Sequence, residues 1–183
     1  GIGKSTLLKG ILGLKNISSG EIKKNFKICG YMSQEVLLKK EFPSTIWEFV
    51  LSSRAVYSKF FYSSKDIAVV KENLKKLDLW EIKDKSISSL SIGQRQRVLL
   101  CRCLCVSEKI IFLDEPTNSL DINVRKMLYD ILEKLNKEGL TIVMISHDEE
   151  AFKYSNRALV LGKENRVIEN VLEKYEKGEI NFD

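Results

Sequence analysis

Apolar residues recur along this chain in two patterns, and each pattern predicts one kind of secondary structure. Short continuous apolar runs, as found in buried parallel strands, lie at residues 26–32, 110–113, 140–145 and 158–161. Apolar residues three or four positions apart, as found on one face of a helix, follow Lys4 and recur over residues 66–79 and 124–135. Strands that alternate with helices predict an α/β fold with a mostly parallel sheet.

Helix starts are marked by three Ser or Thr residues, each with a Glu or Gln three positions later. This capping-box pattern occurs at Thr45–Glu48, Ser91–Gln94 and Ser146–Glu149. The stretch from about residue 42 to residue 105 is helical in pattern and lacks strong strand runs. We therefore predict one domain over residues 1–183, with a helical subdomain at about 42–105 inserted in it.

Composition narrows the classes of protein to be considered. The 183 residues include 30 Lys and Arg and 25 Asp and Glu, which gives a formal net charge of +5. Because the basic residues are scattered among acidic ones, the charge does not favour a nucleic-acid partner. No apolar run approaches the roughly 20 residues of a membrane-spanning helix. Cys101, Cys103 and Cys105 alternate within an apolar segment, which predicts buried thiols of a reduced protein rather than a metal site.

A glycine-rich segment opens the chain and is typical of phosphate binding. Its sequence GIGKST is the second half of the phosphate-binding loop G-x-x-x-x-G-K-[S/T]. Gly1 and Gly3 would let backbone N–H groups approach phosphate oxygens, Lys4 would add a positive charge, and the Ser5 hydroxyl could bind Mg²⁺. The alternative is a chance Gly-Lys-Ser before an ordinary helix.

Polar residues follow the predicted strands at their carboxyl ends. Gln34 follows the first strand, Asp114 and Glu115 follow the second, and His147 follows the third. Ligands bind at this edge of an open α/β sheet, so we expect these residues to belong to a functional site. The alternatives are a solvated turn for the acid pair and a helix N-terminal position for His147.

A second anion site is predicted at the start of the helix over 92–106. This helix is apolar on nearly all sides, so it should be buried. Ser91 and Gly93 lie at its N-terminus, where backbone N–H groups and the helix dipole favour an anion.

Six motifs, in this order, resemble those of ABC-type ATPases, the nucleotide-binding subunits of ABC transporters. They are the Walker A residues Gly3-Lys4-Ser5-Thr6, the Q-loop Gln34, the signature Leu90–Gln94, the Walker B segment Ile110–Glu115, the D-loop Ser119-Leu120-Asp121 and the switch His147. The resemblance covers essentially the whole chain and implies a P-loop NTPase core. Ile92 stands where the signature usually has its first glycine, and it would be strained if that position required a positive φ.

The resemblance implies ATP hydrolysis that depends on Mg²⁺. Asp114 and Ser5 would hold the metal ion, and Glu115 would act as general base on the attacking water. Gln34 would bind the metal ion or orient that water. His147 would contact the γ-phosphate. The residues that would bind ATP in the same subunit are Gly1, Gly3, Lys4, Ser5 and Thr6.

The resemblance also implies a head-to-tail homodimer that forms with ATP. Each nucleotide would lie between the Walker A segment of one subunit and the signature of the other. Ser91, Gly93 and Gln94 would therefore serve the ATP of the partner, and Asp121 would touch the opposite subunit.

Two segments narrow the resemblance to the ATPases of zinc and manganese uptake systems. These segments are residues 41–50, after the Q-loop, and residues 146–152. They imply a subunit at the cytoplasmic face of the cell membrane that powers import of a metal cation. Its partners would be integral membrane permease subunits and, indirectly, an extracytoplasmic solute-binding protein, with no nucleic acid.

Other interpretations stay open at this point. The ATPase of a siderophore or cobalamin importer has related motifs. A chromosome-type ABC ATPase is disfavoured because too few residues separate Gln34 from Ser91 for a long coiled coil. A translation-type ABC ATPase would carry two cassettes, and an interaction module would not need Glu115 and His147. The first strands of the family and its adenine-stacking aromatic residue precede the phosphate loop, so we expect this domain to lack them.

Overall fold

The computed structural model describes residues 3–33, 43–57, 61–162 and 165–179. The chain divides into two compact units. One unit comprises Lys24–Met144, and the other combines Gly1–Lys23 with Ile145–Asp183. The predicted division into one domain with an inserted subdomain at about 42–105 stays a prediction.

A three-stranded sheet has the strand order β1-β2-β3. It lies in the Lys24–Met144 unit except for its last residue, Ile145, which is assigned to the other unit. β1 (Gly30–Met32) runs parallel to β2 (Ile110–Asp114), with Tyr31 opposite Phe112. β3 (Thr141–Ile145) lies on the other side of β2. The predicted α/β class with parallel strands is therefore confirmed.

The three predicted strands of this sheet form with different lengths and burial. Ile111, Phe112 and Leu113 of β2 are buried, as a continuous apolar run predicts. β1 is shorter than the predicted strand at 26–32, because exposed Lys27 interrupts the apolar run. β3 is half-exposed along its length. This fits its place at one end of the strand order among the described residues.

Three α-helices lie in the described residues between β1 and β2. They are α2 (Ile46–Leu51), α3 (Ser64–Lys76) and α4 (Ile92–Val106). Thr45 and Glu48 form the predicted capping box of α2. The predicted helix over 66–79 ends before Asp78, because that residue takes a left-handed φ of 54°.

The helix α4 is buried from Val98 onwards, whereas its first residue, Ile92, is exposed, so the prediction of a fully buried helix holds only for its second half. It packs against α2, α3 and β1, and its buried side chains are Val98, Leu100, Cys101, Cys103, Leu104 and Cys105. The four cysteines Cys29, Cys101, Cys103 and Cys105 are free thiols. After β2 comes α5 (Ile122–Lys137), whose buried side chains include Leu128, Leu132 and Leu135 of the predicted apolar stripe.

The second unit begins with α1 (Lys4–Leu12) and resumes at Ile145. Its later part contains a 3₁₀ helix (Glu149–Tyr154), β4 (Arg157–Val160), β5 (Arg166–Glu169) and α6 (Val171–Glu176). β4 and β5 pair antiparallel, and buried Ile168 and Val171 form a small core. The strand predicted at 158–161 forms one residue earlier, but the expectation of a buried parallel strand is wrong, because β4 pairs antiparallel in a separate sheet and Leu159 is exposed.

The capping box predicted at Ser146 and Glu149 is wrong. Asp148 is the N-cap of the 3₁₀ helix, and its Oδ1 accepts from the backbone N–H of Glu150 at 3.0 Å. Ser146 Oγ instead accepts from the backbone N–H of Asp148 at 2.9 Å. These two bonds span only two residues each, which tightens the turn so that Glu149 becomes the first helical residue.

Candidate functional site

The glycine of the phosphate-loop segment sets the start of α1. Gly3 is the N-cap with a left-handed φ of 93°, and a Cβ on it would meet no atom within 4 Å. Glycine is therefore needed for its backbone conformation and not for space. The first turn of α1, which includes Ser5 and Thr6, has neither a side-chain cap nor an acidic residue. Its N–H groups and the positive end of its dipole thus suit an anion.

Lys4 and His147 meet in this unit although they lie far apart in the sequence. Lys4 Nζ is 3.1 Å from His147 Nδ1. An ammonium group only donates hydrogen bonds, so Lys4 is the donor in this contact. The structure brings these two predicted site residues together.

The acid pair lies at the carboxyl end of β2. Asp114 is the last residue of the strand and is buried, which argues against the solvated turn. Glu115 has a left-handed φ of 52°, a conformation that costs energy for a residue with a Cβ. The Asn118 side chain donates to Glu115 Oε2 at 3.5 Å, and the Asn118 backbone N–H donates to the Glu115 carbonyl at 3.2 Å. Asn118 was missed by the sequence analysis, although its spacing of three residues from Glu115 is typical of a turn.

The predicted D-loop leads from this turn into α5. Ser119 also has a left-handed φ, of 64°, and Leu120 is buried. Asp121 is the N-cap of α5, and its Oδ1 accepts from the backbone N–H of Val124 at 3.0 Å.

The predicted signature starts α4 as its sequence indicates. Ser91 is the N-cap, and Ser91 and Gln94 form the capping box in both directions, with N···O distances of 3.0 and 3.2 Å. Ile92 is the first residue of the helix and is exposed. Its φ is not positive, so the strain considered for this position does not arise.

Two predicted site residues, Gly1 and Gln34, lie outside the described residues. Among the described residues, no three His, Cys, Asp or Glu side chains converge to hold a metal ion. Mg²⁺ does not need such a group, since it is usually bound by one or two carboxylates together with phosphates and water.

None of the helices in the described ranges combines the length and apolar character that crossing a bilayer requires.

The glycine turn before α1 and the acid pair after a parallel strand define a P-loop nucleotide-binding protein of the α/β class. The sequence profile of the ABC transporter family matches residues 1–118. The chain therefore belongs to the ABC transporter family, as an ATP-binding subunit, and members of this class are ATPases.

Curated relatives place the chain close to metal-ion systems. It is 32% identical to the manganese transport system ATP-binding protein MntB of Halalkalibacterium halodurans, over 90% of this chain and 69% of the relative. It is 32% identical to the high-affinity zinc uptake system ATP-binding protein ZnuC of Bacillus subtilis, over 81% of this chain and 69% of the relative. The chain spans 61% to 74% of the length of the manganese and zinc relatives. The predicted resemblance to zinc and manganese ATPases is confirmed.

A solved structure agrees with the fold. An ABC transporter assigned to the metal-chelate type, in an inward-facing conformation, superimposes with a TM-score of 0.83 at 29% identity, over 93% of this chain and 69% of that chain. The predicted P-loop NTPase fold is thereby confirmed.

Proposed function

We propose that this chain is the ATP-hydrolysing subunit of an ABC transporter that powers import of a metal cation. The carrying observation is the contact of Lys4 with His147 beside the uncapped N-terminus of α1. An ammonium group, a ring N–H and several backbone N–H groups in one place suit a polyphosphate.

The residues of the phosphate loop would bind ATP. Gly1, Gly3 and Thr6 would supply backbone N–H groups, and Lys4 would pair with the β- and γ-phosphates. His147 would donate to the γ-phosphate, where negative charge develops during hydrolysis.

Residues of the predicted motifs would bind the metal ion and the attacking water through side-chain oxygen atoms. Ser5, Asp114 and Gln34 would hold Mg²⁺, which when bound neutralises phosphate charge. Glu115 would accept a proton from the attacking water. Its left-handed backbone fixes the direction in which its side chain leaves the strand end.

The signature would complete the site of a second copy. In a head-to-tail homodimer, the N–H groups at the start of α4 would face the partner's ATP through Ser91, Gly93 and Gln94. Asp121 would lie at the subunit contact. The assembly would work at the cytoplasmic face of the membrane with permease subunits, and a solute-binding protein would deliver the cargo to those subunits.

The metal cation is favoured as cargo because the manganese and zinc relatives are themselves ATP-binding proteins of transport systems. A chelated metal, such as a siderophore or cobalamin complex, is the second candidate. It is favoured by the similarity to the transporter of the metal-chelate type.

The hydrolysis proposal is tested by light scattering of a Glu115→Gln variant with and without Mg-ATP. Glu115→Gln removes the general base but keeps the groups that bind ATP. We therefore expect a shift from monomer to dimer on addition of ATP. Lys4→Ala, in the same experiment, is the control that should stay monomeric. Equal ATPase rates for the wild type and Glu115→Gln would contradict the assignment of the base.

The cargo is tested separately in vesicles that contain the permease subunits. The ATPase rate should rise with a solute-binding protein loaded with free manganese or zinc ions. Stimulation by a chelate-loaded protein alone would favour the second candidate.

A further inference from the structure

Gly93, near the start of α4, approaches Val124 in α5 very closely. A Cβ on Gly93 would lie 2.7 Å from Val124 Cγ1, 3.5 Å from Cγ2 and 3.8 Å from Cβ. The first distance is far below van der Waals contact, and a valine side chain in a helix has one strongly preferred rotamer. Gly93 has ordinary helical backbone geometry. The contact with Val124, rather than backbone conformation, therefore requires glycine at this position.

Val124 is in turn fixed to the predicted D-loop. Its backbone N–H donates to Asp121 Oδ1 at 3.0 Å, and the N–H of Arg125 donates to the Asp121 carbonyl at 2.9 Å. Buried Leu120 precedes this turn. The side chain that meets Gly93 thus projects from the capped first turn of α5.

The same segment leads back to Glu115 through successive turns. The N–H of Leu120 donates to the Thr117 carbonyl, and the N–H of Asn118 donates to the Glu115 carbonyl, both at 3.2 Å. Thr117 is buried as well. A continuous hydrogen-bonded segment therefore connects Glu115 with the turn that carries Val124.

We propose that Val124 is a positioning residue for ATP hydrolysis. Its contact with Gly93 holds the signature end of α4 against the segment from Glu115 to Asp121. This inference rests on the proposed function, in which the signature serves the partner's ATP and Glu115 serves the chain's own ATP. The contact would then hold the signature and Glu115 in a fixed relation to each other.

The test is a double-mutant cycle of ATPase kinetics on the full chain. Gly93→Ala should lower kcat on the order of tenfold, because the added methyl group pushes the start of α4 away from the start of α5. The KM for ATP should change less than kcat, since the phosphate loop is untouched. Gly10→Ala is the matched control, because a Cβ there would meet Ile17 Cγ2 at an ordinary 3.6 Å.

Adding Val124→Ala to Gly93→Ala is the decisive step. It removes both γ-carbons, so the nearest atom of residue 124 is its Cβ at 3.8 Å. We expect kcat of the double variant to return to within about threefold of the wild type. A double variant as slow as Gly93→Ala would overturn the inference, because it would mean that Gly93 is needed for approach of the nucleotide itself.

Amide hydrogen exchange gives a readout that does not depend on ATPase activity. In Gly93→Ala, the amide of residue 124 should exchange on the order of tenfold faster, and the double variant should restore its protection. Unchanged exchange in Gly93→Ala would overturn the positioning role even if the ATPase rates fall. A wild type without ATPase activity would instead contradict the proposed function, and the exchange data would still decide whether the contact positions α5.

Discussion

Lys4 Nζ and His147 Nδ1 are 3.1 Å apart, and this hydrogen bond joins the first turn of α1 to the turn that follows β3. Both residues are predicted to contact the γ-phosphate. Their direct contact places the two side chains next to each other. A phosphate oxygen bound by both residues would replace the hydrogen bond between Lys4 and His147 with two hydrogen bonds to an anion.

Substitution of Lys4 should affect ATP binding, whereas substitution of His147 should affect the rate of hydrolysis. Lys4→Ala should abolish ATP binding, because the charge that pairs with the phosphates is lost. His147→Ala should keep ATP binding but lower kcat on the order of 100-fold, as expected for loss of one donor to transition-state charge. Equilibrium binding of a fluorescent ATP analogue and steady-state ATPase rates measure the two effects. Loss of binding in both variants would show that His147 acts on the ground state instead.

The sequence was most informative where a local rule decides the structure. The capping box at Ser91 and Gln94 depends on residues three apart, and α4 begins and ends at the predicted residues. The predicted strand β2 formed because its apolar run is buried by its neighbours on both sides. Spacing alone could not place Lys4 beside His147, because that contact depends on tertiary structure.

The sequence was least informative for short polar elements. β5 has two apolar residues between two charged ones over only four positions, and α6 has six residues, so neither gives a clear periodic pattern. The turn after β3 was misread because Asp148 competes with Ser146 as the helix cap. The contact of Gly93 with Val124 also has no signal in one sequence, because it depends on how α4 and α5 pack together.

A buried ion pair in the helical region should make stability depend on pH in acid. Arg54 Nε donates to Asp66 Oδ1 at 2.8 Å, and Arg54 Nη1 donates to the Cys105 carbonyl at 2.5 Å. Hydrogen bonds from Ser63, followed by the Arg54 contact, lower the pKa of Asp66 from 3.8 to about 2. A lowered pKa means that the ionised carboxylate stabilises the folded state, and this contribution is lost as the pH falls from 3.8 towards 2.

Asp66→Asn should therefore lower the melting temperature at pH 7, and its difference from the wild type should shrink as the pH falls below 3.8. Thermal unfolding followed by circular dichroism over this range measures both. Glu72→Gln is the control, since it removes an exposed carboxylate from the same helix. A difference that stays constant down to pH 2 would mean that the ion pair does not cause the effect.

The buried thiols of α4 should make stability depend on pH in alkali. Burial raises the pKa of Cys103 from 9.0 to about 12, and a hydrogen bond with Cys105, followed by burial, raises the pKa of Cys101. A raised thiol pKa means that the unfolded state loses its proton first. The unfolding free energy should then fall above pH 9.0, by about 1.4 kcal/mol per pH unit for each such thiol.

Urea unfolding at several pH values measures this slope, and Cys103→Ala should reduce it. Thiol labelling of the folded protein at pH 8 is a second check, because only half-buried Cys29 should react quickly. Fast labelling of all four cysteines without unfolding would contradict the burial of α4.

The contact between β1 and α4 should tolerate no side chain at Gly30. A Cβ there would lie 2.5 Å from the Cys103 carbonyl oxygen and 2.8 Å from Cys103 Cα. These are backbone atoms, so a change of rotamer cannot relieve the clash, and β1 would have to move away from α4. We expect Gly30→Ala to lower the unfolding free energy, measured by urea unfolding, by about 1–3 kcal/mol.

Gly10→Ala is the control for this prediction. The nearest atom to a Cβ at that position is 3.6 Å away, so the change should be neutral or stabilising. Cys103→Ala should not rescue Gly30→Ala, because it leaves the carbonyl in place, and rescue by that change would show that the side chain rather than the backbone limits the approach.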